Sequence, residues 1–267
     1  MDKNLMEKEL VFNEVADSVA TIYLNNQPAN ALSTKTLSEL EKNIDEVSNN
    51  DSVKAVIITG EGKMFAAGAD IKEFTEVYDN ESKGIEMAKN AQRIFRKIEM
   101  MHKPVIAAIN GACLGGGLEL AMSCHLRLSA NEAVLGQPET NLGLIPGFGG
   151  TQRLARLVNP AKALELTMFG NNIKGDEAER IGLVNLSVPL DDLMETVTQW
   201  ASQIAKTKSG HTTQKLLDAI YRPINGRDQD LDGLDNEAEI FGELFSSSDT
   251  QEGVNAFIEK RKAEFKK

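Results

Sequence analysis

The sequence predicts an α/β layered core followed by an all-helical C-terminal part, and three observations predict it. Two short apolar runs, VKAVIITG (Val53 to Gly60) and PVIAAI (Pro104 to Ile109), have the length and near-continuous hydrophobicity of strands buried on both faces. Each leads through a glycine-bearing turn toward a helical segment, and recurrence of that order marks alternating layers. After Val188 the pattern changes. Val197, Ile204, Leu216, Leu217, Ile220, Leu234, Phe241, Leu244, Phe245, Val254 and Phe257 fall in long helical stretches without a strand signature. The division between core and helical part is placed near residue 195, giving segments 1–195 and 196–267.

Taken in order, ELVFNEV and SVATIYLN alternate as a half-buried hairpin should. After the loop NQPANALS, Ser33 is a candidate N-cap for a helix with Leu37, Leu40, Ile44 and Val47 on one face. A further helix is expected from about Ser82 to Met100, with Ile85, Ala88, Ala91, Ile94 and Ile98 inward. The strand ending near Ile109 passes through Asn110 and Gly111 into three consecutive glycines, Gly115 to Gly117, and a short helix, LELAMS.

Composition narrows the chemistry. A net charge of -11 argues against a broad nucleic-acid surface, which needs clustered Lys and Arg, while a few local cations and backbone amides can still hold an anionic small ligand. No window approaches the roughly 18 apolar residues of a membrane helix, and MDKNLMEKEL has no secretory h-region, so a cytoplasmic location is expected. Cys113 and Cys124 are the only cysteines, and His102, His125 and His211 are scattered, so neither a metal site nor a structural disulfide is expected. Carboxylates, hydroxyls and backbone groups are left to carry any reaction.

Small residues concentrate in FAAGAD (Phe65 to Asp70), GACLGGGLEL (Gly111 to Leu120) and GLIPGFGGTQRL (Gly143 to Leu154). None fits a P-loop or a dinucleotide fingerprint. Tight packing alone accounts for each stretch singly. Together, small residues after strands let a ligand approach the main chain, and amides at a helix start can stabilise an oxygen that gains negative charge. Glu119 follows the triple glycine by two residues, where an acid also serves as a helix-dipole partner. Glu139 lies in GQPET, where a solvated loop carboxylate is the plain alternative. As a pair beside such a pocket they could hold a water between them, one as base and one as acid.

At these residues the sequence resembles the enoyl-CoA hydratase/isomerase family, the crotonase superfamily. The carrying segments are FAAGADIKEF, KPVIAAINGACLGGGLELAMSCHLRLSA and LGQPETNLGLIPGFGGTQRL, with PANAL, GDEAERIGLVN and GVNAFIEKRKAEF in the expected order. The resemblance implies a crotonase-like spiral of ββα units with a C-terminal helical region that builds trimers, two of which stack into a hexamer. It also implies a coenzyme-A thioester as substrate and no separate cofactor. Position by position, it implies that the amides of Ala69 and Gly116 bind the thioester oxygen. Ala67 and Ile71 would line the coenzyme-A site with Asp70 and Lys72 beside them, and Glu119 and Glu139 would be the two hydratase glutamates. NQPANAL lacks the basic residue many members place before NAL, leaving Lys72, Lys260 or Arg261 to meet the phosphates. Among relatives' activities, hydration of a 2-enoyl thioester in fatty-acid degradation fits the intact pair. Isomerisation or another crotonase-type reaction on an acyl-CoA is the alternative, and a non-catalytic RNA-binding or scaffold role a distant one. The acyl pocket is expected around residues 74 to 100 and 142 to 148.

Overall fold

In the computed structural model, residues 9–75, 80–225 and 248–265 are described. The first two strands, β1 (Val11–Ala16) and β2 (Val19–Leu24), form the expected antiparallel hairpin. Helix α1 (Thr34–Asn49) starts at Ser33, whose side chain accepts a hydrogen bond from the Thr36 amide, and buries Leu37, Leu40, Ile44 and Val47. Strands β3 (Ala55–Gly60) and β5 (Val105–Ile109) are buried at every residue. Each lies between parallel neighbours, which removes the polar face an edge strand would keep.

The remaining strands are β4 (Met64–Ala66), β6 (Ala112–Leu114), β7 (Leu126–Ala130), β8 (Val134–Gly136), β9 (Ile173–Lys174) and β10 (Leu186–Val188). They sort into two sheets, a six-stranded one in the order β1-β2-β3-β5-β7-β10 and a four-stranded one in the order β4-β6-β8-β9. Each of β3, β5 and β7 is followed by a short strand that leaves for the second sheet. The helices after these pairs are α2 (Ile71–Phe74) and α3 (Glu81–Glu99) after β4, and α4 (Gly116–Ser123) after β6. A 3-10 turn (Glu139–Leu142) follows β8, then α5 (Gly150–Val158), α6 (Pro160–Phe169) and α7 (Gly175–Arg180). This repeated strand-strand-helix winding is the crotonase-type spiral.

The splitting of each strand pair positions the site. In the small sheet β4, β6 and β8 run parallel, with Ala66 opposite Cys113 and Cys113 opposite Leu135. Three residues beyond each of these lie Ala69, Gly116 and Pro138. Parallel neighbours stand about 4.8 Å apart, so the chain ends of three units far apart in sequence emerge side by side.

Helix α8 (Leu190–Thr207) lies against β2, β3, β5 and β7 and buries Leu193, Val197 and Ala201. Residue 195 therefore falls inside a continuous helix that covers the main sheet. Helices α9 (Gly210–Asn225) and α10 (Ser248–Ile258) follow, and no strand follows β10 among the described residues. Leu234, Phe241, Leu244, Phe245 and the side chain of Phe257 lie outside the described residues. One expectation about α3 is corrected. Ala91, Ile94 and Ile98 are buried, but Ile85 is 46% exposed, because the first turns of α3 extend past the core. On α9, Leu216 and Ile220 are likewise exposed. No helix among the described residues is long and apolar enough to cross a membrane.

Candidate active site

The junction of β6 and α4 builds the floor of the site. Gly115 sits at φ 51° and ψ -125°, a conformation that L side chains rarely adopt. A Cβ there would also stand 2.9 Å from Glu139 Oε1, so its absence lets that carboxylate close on the turn. The turn is pinned from both sides: the Gly115 amide donates to the Gly136 carbonyl, and Gln137 Nε2 donates to the Gly115 carbonyl. Gly116 is the first residue of α4, where an amide has no earlier intrahelical acceptor.

Ala69 reaches the same wall. Its strand-like bridge to Leu32 is made by the Leu32 amide donating to the Gly68 carbonyl. The point that a Cβ on Gly116 would occupy lies 3.3 Å from the Ala69 amide nitrogen. The two backbone nitrogens singled out from the sequence thus border one space. The Ala67 amide, by contrast, is committed to the Ala29 carbonyl. Asp70 caps α2 by accepting from the Lys72 amide. Ile71 is 53% exposed, and Ala67 and Lys72 also face outward on this side.

Glu119, in the first turn of α4, is 1% exposed. Its Oε1 accepts from the Phe148 amide at 2.8 Å and the Gly150 amide at 2.7 Å. Burial raises its pKa to about 7. Nearby Glu139 pushes the same way, and the two amides and Arg153 restrain the shift. Glu139 opens the 3-10 turn after Pro138. Burial raises its pKa as well, its own backbone amide opposing, and its buried Oε2 has no hydrogen-bond partner.

Some contributors were not legible beforehand. Gln137, fully buried, supports the glycine turn while its own Oε1 has no partner. Phe148 contributes an amide to Glu119 and a ring 3.1 Å from where a Gly116 Cβ would lie. Neither role leaves a sequence signal beyond proximity to GQPE and GFGG. Of the cations assigned to phosphates, Arg261 is engaged by Glu252 and Glu259. Lys72 and Lys260 are exposed. Among the described residues no group of three or more His, Cys, Asp or Glu could hold a metal ion.

Two carboxylates set close to the turn that carries the Gly116 amide, on a spiral of strand pairs, are the arrangement of a general acid–base site, and comparison with known proteins identifies the lineage. The sequence profile of the family described as enoyl-CoA hydratase/isomerase matches residues 14–267. The chain is 47% identical to a probable enoyl-CoA hydratase of Bacillus subtilis, with 93% of this chain and 95% of that protein aligned. It is 45% identical to the short-chain-enoyl-CoA hydratase of Clostridium acetobutylicum, over 97% of this chain and 98% of that one. The crystal structure of an enoyl-CoA hydratase from Bacillus anthracis superposes with a TM-score of 0.87 at 36% identity, covering 96% and 99% of the two chains. The chain belongs to the enoyl-CoA hydratase/isomerase family.

Proposed function

We propose that this chain is an enoyl-CoA hydratase that adds water across the 2,3 double bond of a trans-2-enoyl-CoA to give the 3-hydroxyacyl-CoA. The observation that carries the reading is the meeting of Glu119, Glu139 and the Ala69 and Gly116 amides at one turn. Polarisation of the thioester carbonyl by the two amides makes C3 electrophilic. Glu119 takes a proton from water as its oxygen bonds to C3, and Glu139 gives a proton to C2. The sum is one water added with no change of oxidation state, so the reaction itself calls for no redox cofactor.

Hydrogen bonding supports this division, against the burial that raises the Glu119 pKa to about 7. The two amides on Glu119 Oε1 favour its anion, whereas the unpartnered Oε2 of Glu139 suits a carboxyl that keeps a proton. The two carboxyls interact and titrate as a coupled pair. In this reading Ala67, Asp70, Ile71 and Lys72 border the coenzyme-A moiety. Names of relatives agree: one from Syntrophomonas wolfei, 43% identical over 97% of this chain, is called crotonyl-CoA hydratase.

Fatty-acid β-oxidation is the proposed setting and the cytoplasm the proposed location, in keeping with two buried free thiols. A homotrimer, or a hexamer of two trimers, is the proposed assembly. It would cover the exposed Leu142, Ile145, Leu164, Met168 and Phe169 beside the site. The deciding experiment is an assay on crotonyl-CoA, where loss of the 2-enoyl absorbance is expected. Folded protein that leaves the absorbance unchanged overturns the reading in favour of isomerisation or another reaction of the family.

A further inference from the structure

The turn Phe148-Gly149-Gly150 has two sides, and the reaction as proposed uses only one. On one side its amides hold Glu119. On the other, the Phe148 carbonyl accepts from Arg153 Nη1 at 2.9 Å. The guanidinium is pressed against the turn: a Cβ on Gly149, which sits at φ 113°, would stand 2.1 Å from Nη1. The rest of the fork is taken by Glu99 at the end of α3, with Arg153 Nε to Oε1 and Nη2 to Oε2 both at 2.8 Å. The Arg153 and Glu99 side chains are 10% and 9% exposed. Glu99 is itself fixed, because its backbone carbonyl faces His125 Nε2 while His125 Nδ1 accepts from the Val105 amide. Farther along the loop, Gln92 of α3 donates to the Gly147 carbonyl.

A surface strut of this kind would contribute little, but a bidentate pair out of water is rigid and its field is poorly screened. Hydrophobic side chains could join α3 to α5 with less desolvation. What they could not do is hold a peptide carbonyl from behind while its neighbouring amides point at a carboxylate. We propose that Glu99 and Arg153 are positioning residues for the reaction, clamping the Phe148–Gly150 turn onto Glu119 and setting the electric field at its carboxyl. The proposal deepens the hydratase reading and rests on the role given there to Glu119.

The charges facing Glu119 are Glu139 from the 3-10 turn and Arg153 from α5, with Glu99 of α3 behind Arg153. Beyond the far end of α4, Cys124 sits within the field of the same pair and of Arg127. Arg153 is the nearer member of the pair, so the two removals have opposite signs. R153Q takes away a positive charge, and the acid limb of kcat/KM against pH moves up by roughly one unit. E99Q leaves Arg153 uncompensated but still bound to Phe148, and the limb moves down by a smaller amount. The double variant E99Q/R153Q, which buries no lone charge, falls between the two and guards against an R153Q that does not fold. R153K keeps the charge and loses the fork, so it lowers kcat with little movement of the limb.

The test measures pH profiles with crotonyl-CoA. In parallel, infrared difference spectra against E119Q follow the Glu119 carboxyl in each variant. A downward displacement in E99Q and an upward one in R153Q, with the double variant lying above E99Q, support the proposal. Displacements of the same sign, or a loss of melting temperature with both profiles unmoved, overturn it and leave the pair a purely structural strut. Because the infrared titration needs no turnover, it decides the proposal even if wild-type protein fails to hydrate crotonyl-CoA, which would sink the hydratase reading alone.

Discussion

Glu119 and Glu139 are the same side chain in two different mountings. Glu119 stands on a helix, almost wholly buried, with one oxygen held by two amides and an arginine behind those amides. Glu139 stands on a single 3-10 turn, partly buried, with its Oε2 facing no protein donor. Burial raises both pKa values; the Glu119 anion is held by two amides from the Phe148–Gly150 turn, whereas Glu139 has only its own backbone amide to oppose the shift. A carboxyl with a prepared place for its charge is suited to take a proton during the reaction, and one without is suited to give it.

The largest effect expected from breaking this contrast is on the carboxyls themselves. Glu139→Gln is expected to lower kcat by about 10²–10⁴-fold while coenzyme-A binding persists, and Glu119→Gln by a similar factor. Steady-state kinetics with a binding titration checks both. Near-normal turnover in either variant removes that residue from the chemistry.

Next in size is Gly116→Pro, which deletes one of the two amides proposed to bind the thioester oxygen while placing proline at a first helical position that tolerates it. The expected loss is about 2.7–4 kcal/mol of transition-state stabilisation. Circular dichroism must accompany the kinetics, since added atoms there meet the Phe148 ring.

Gly150→Ala acts on the tethered glutamate and on Gln137 beside it, and not directly on Glu139. Its Cβ would lie 2.1 Å from Gln137 Oε1 and 2.9 Å from Glu119 Oε1. Overpacking of this kind costs about 1–3 kcal/mol of stability, with kcat falling through displacement of Glu119. A variant with unchanged melting temperature and kcat contradicts the geometry of that tether.

The smallest effect is on stability against pH. The folded pKa of Glu119, about 7, lies above the ordinary glutamate value of 4.5, so the folded state binds the proton more tightly. The contribution is therefore complete below about 4.5 and is lost as pH rises through about 7. Urea unfolding at pH 5 and pH 8 should show this decline in wild type and a flatter response in Glu119→Gln. Equal slopes in both would place the titration elsewhere.

Much of this was legible in the residues themselves. The Ser33 cap, the inward face of α1 and the buried strands β3 and β5 follow from local periodicity and capping chemistry, and each stands in the fold as read. Ile85 shows where periodicity misleads: it continues the apolar stripe of α3, but the stripe outruns the core, and burial depends on what lies opposite. Glu119 and Glu139 could be named because they sit in long glycine-rich segments with a recognisable pattern. Glu99 could not, since a glutamate near the end of a charged helix looks like any solvated one, and its partner Arg153 lies in a different unit.

By itself, then, the sequence determined the first hairpin, α1, most of α3, the buried strands β3 and β5, the family pattern and the candidate chemical groups, because these depend on spacing of 2 or about 3.6 residues and on turn chemistry close in the chain. Tertiary structure alone decided that Ala69, Gly116 and Glu139 share one wall, that Glu119 is held by the amides of Phe148 and Gly150, and that Arg153 and Glu99 stand behind them. Those relations arise from the register of β4, β6 and β8 and from the packing of α3 and α5 on either side of α4. Register and packing are settled by residues that meet only after the chain has folded.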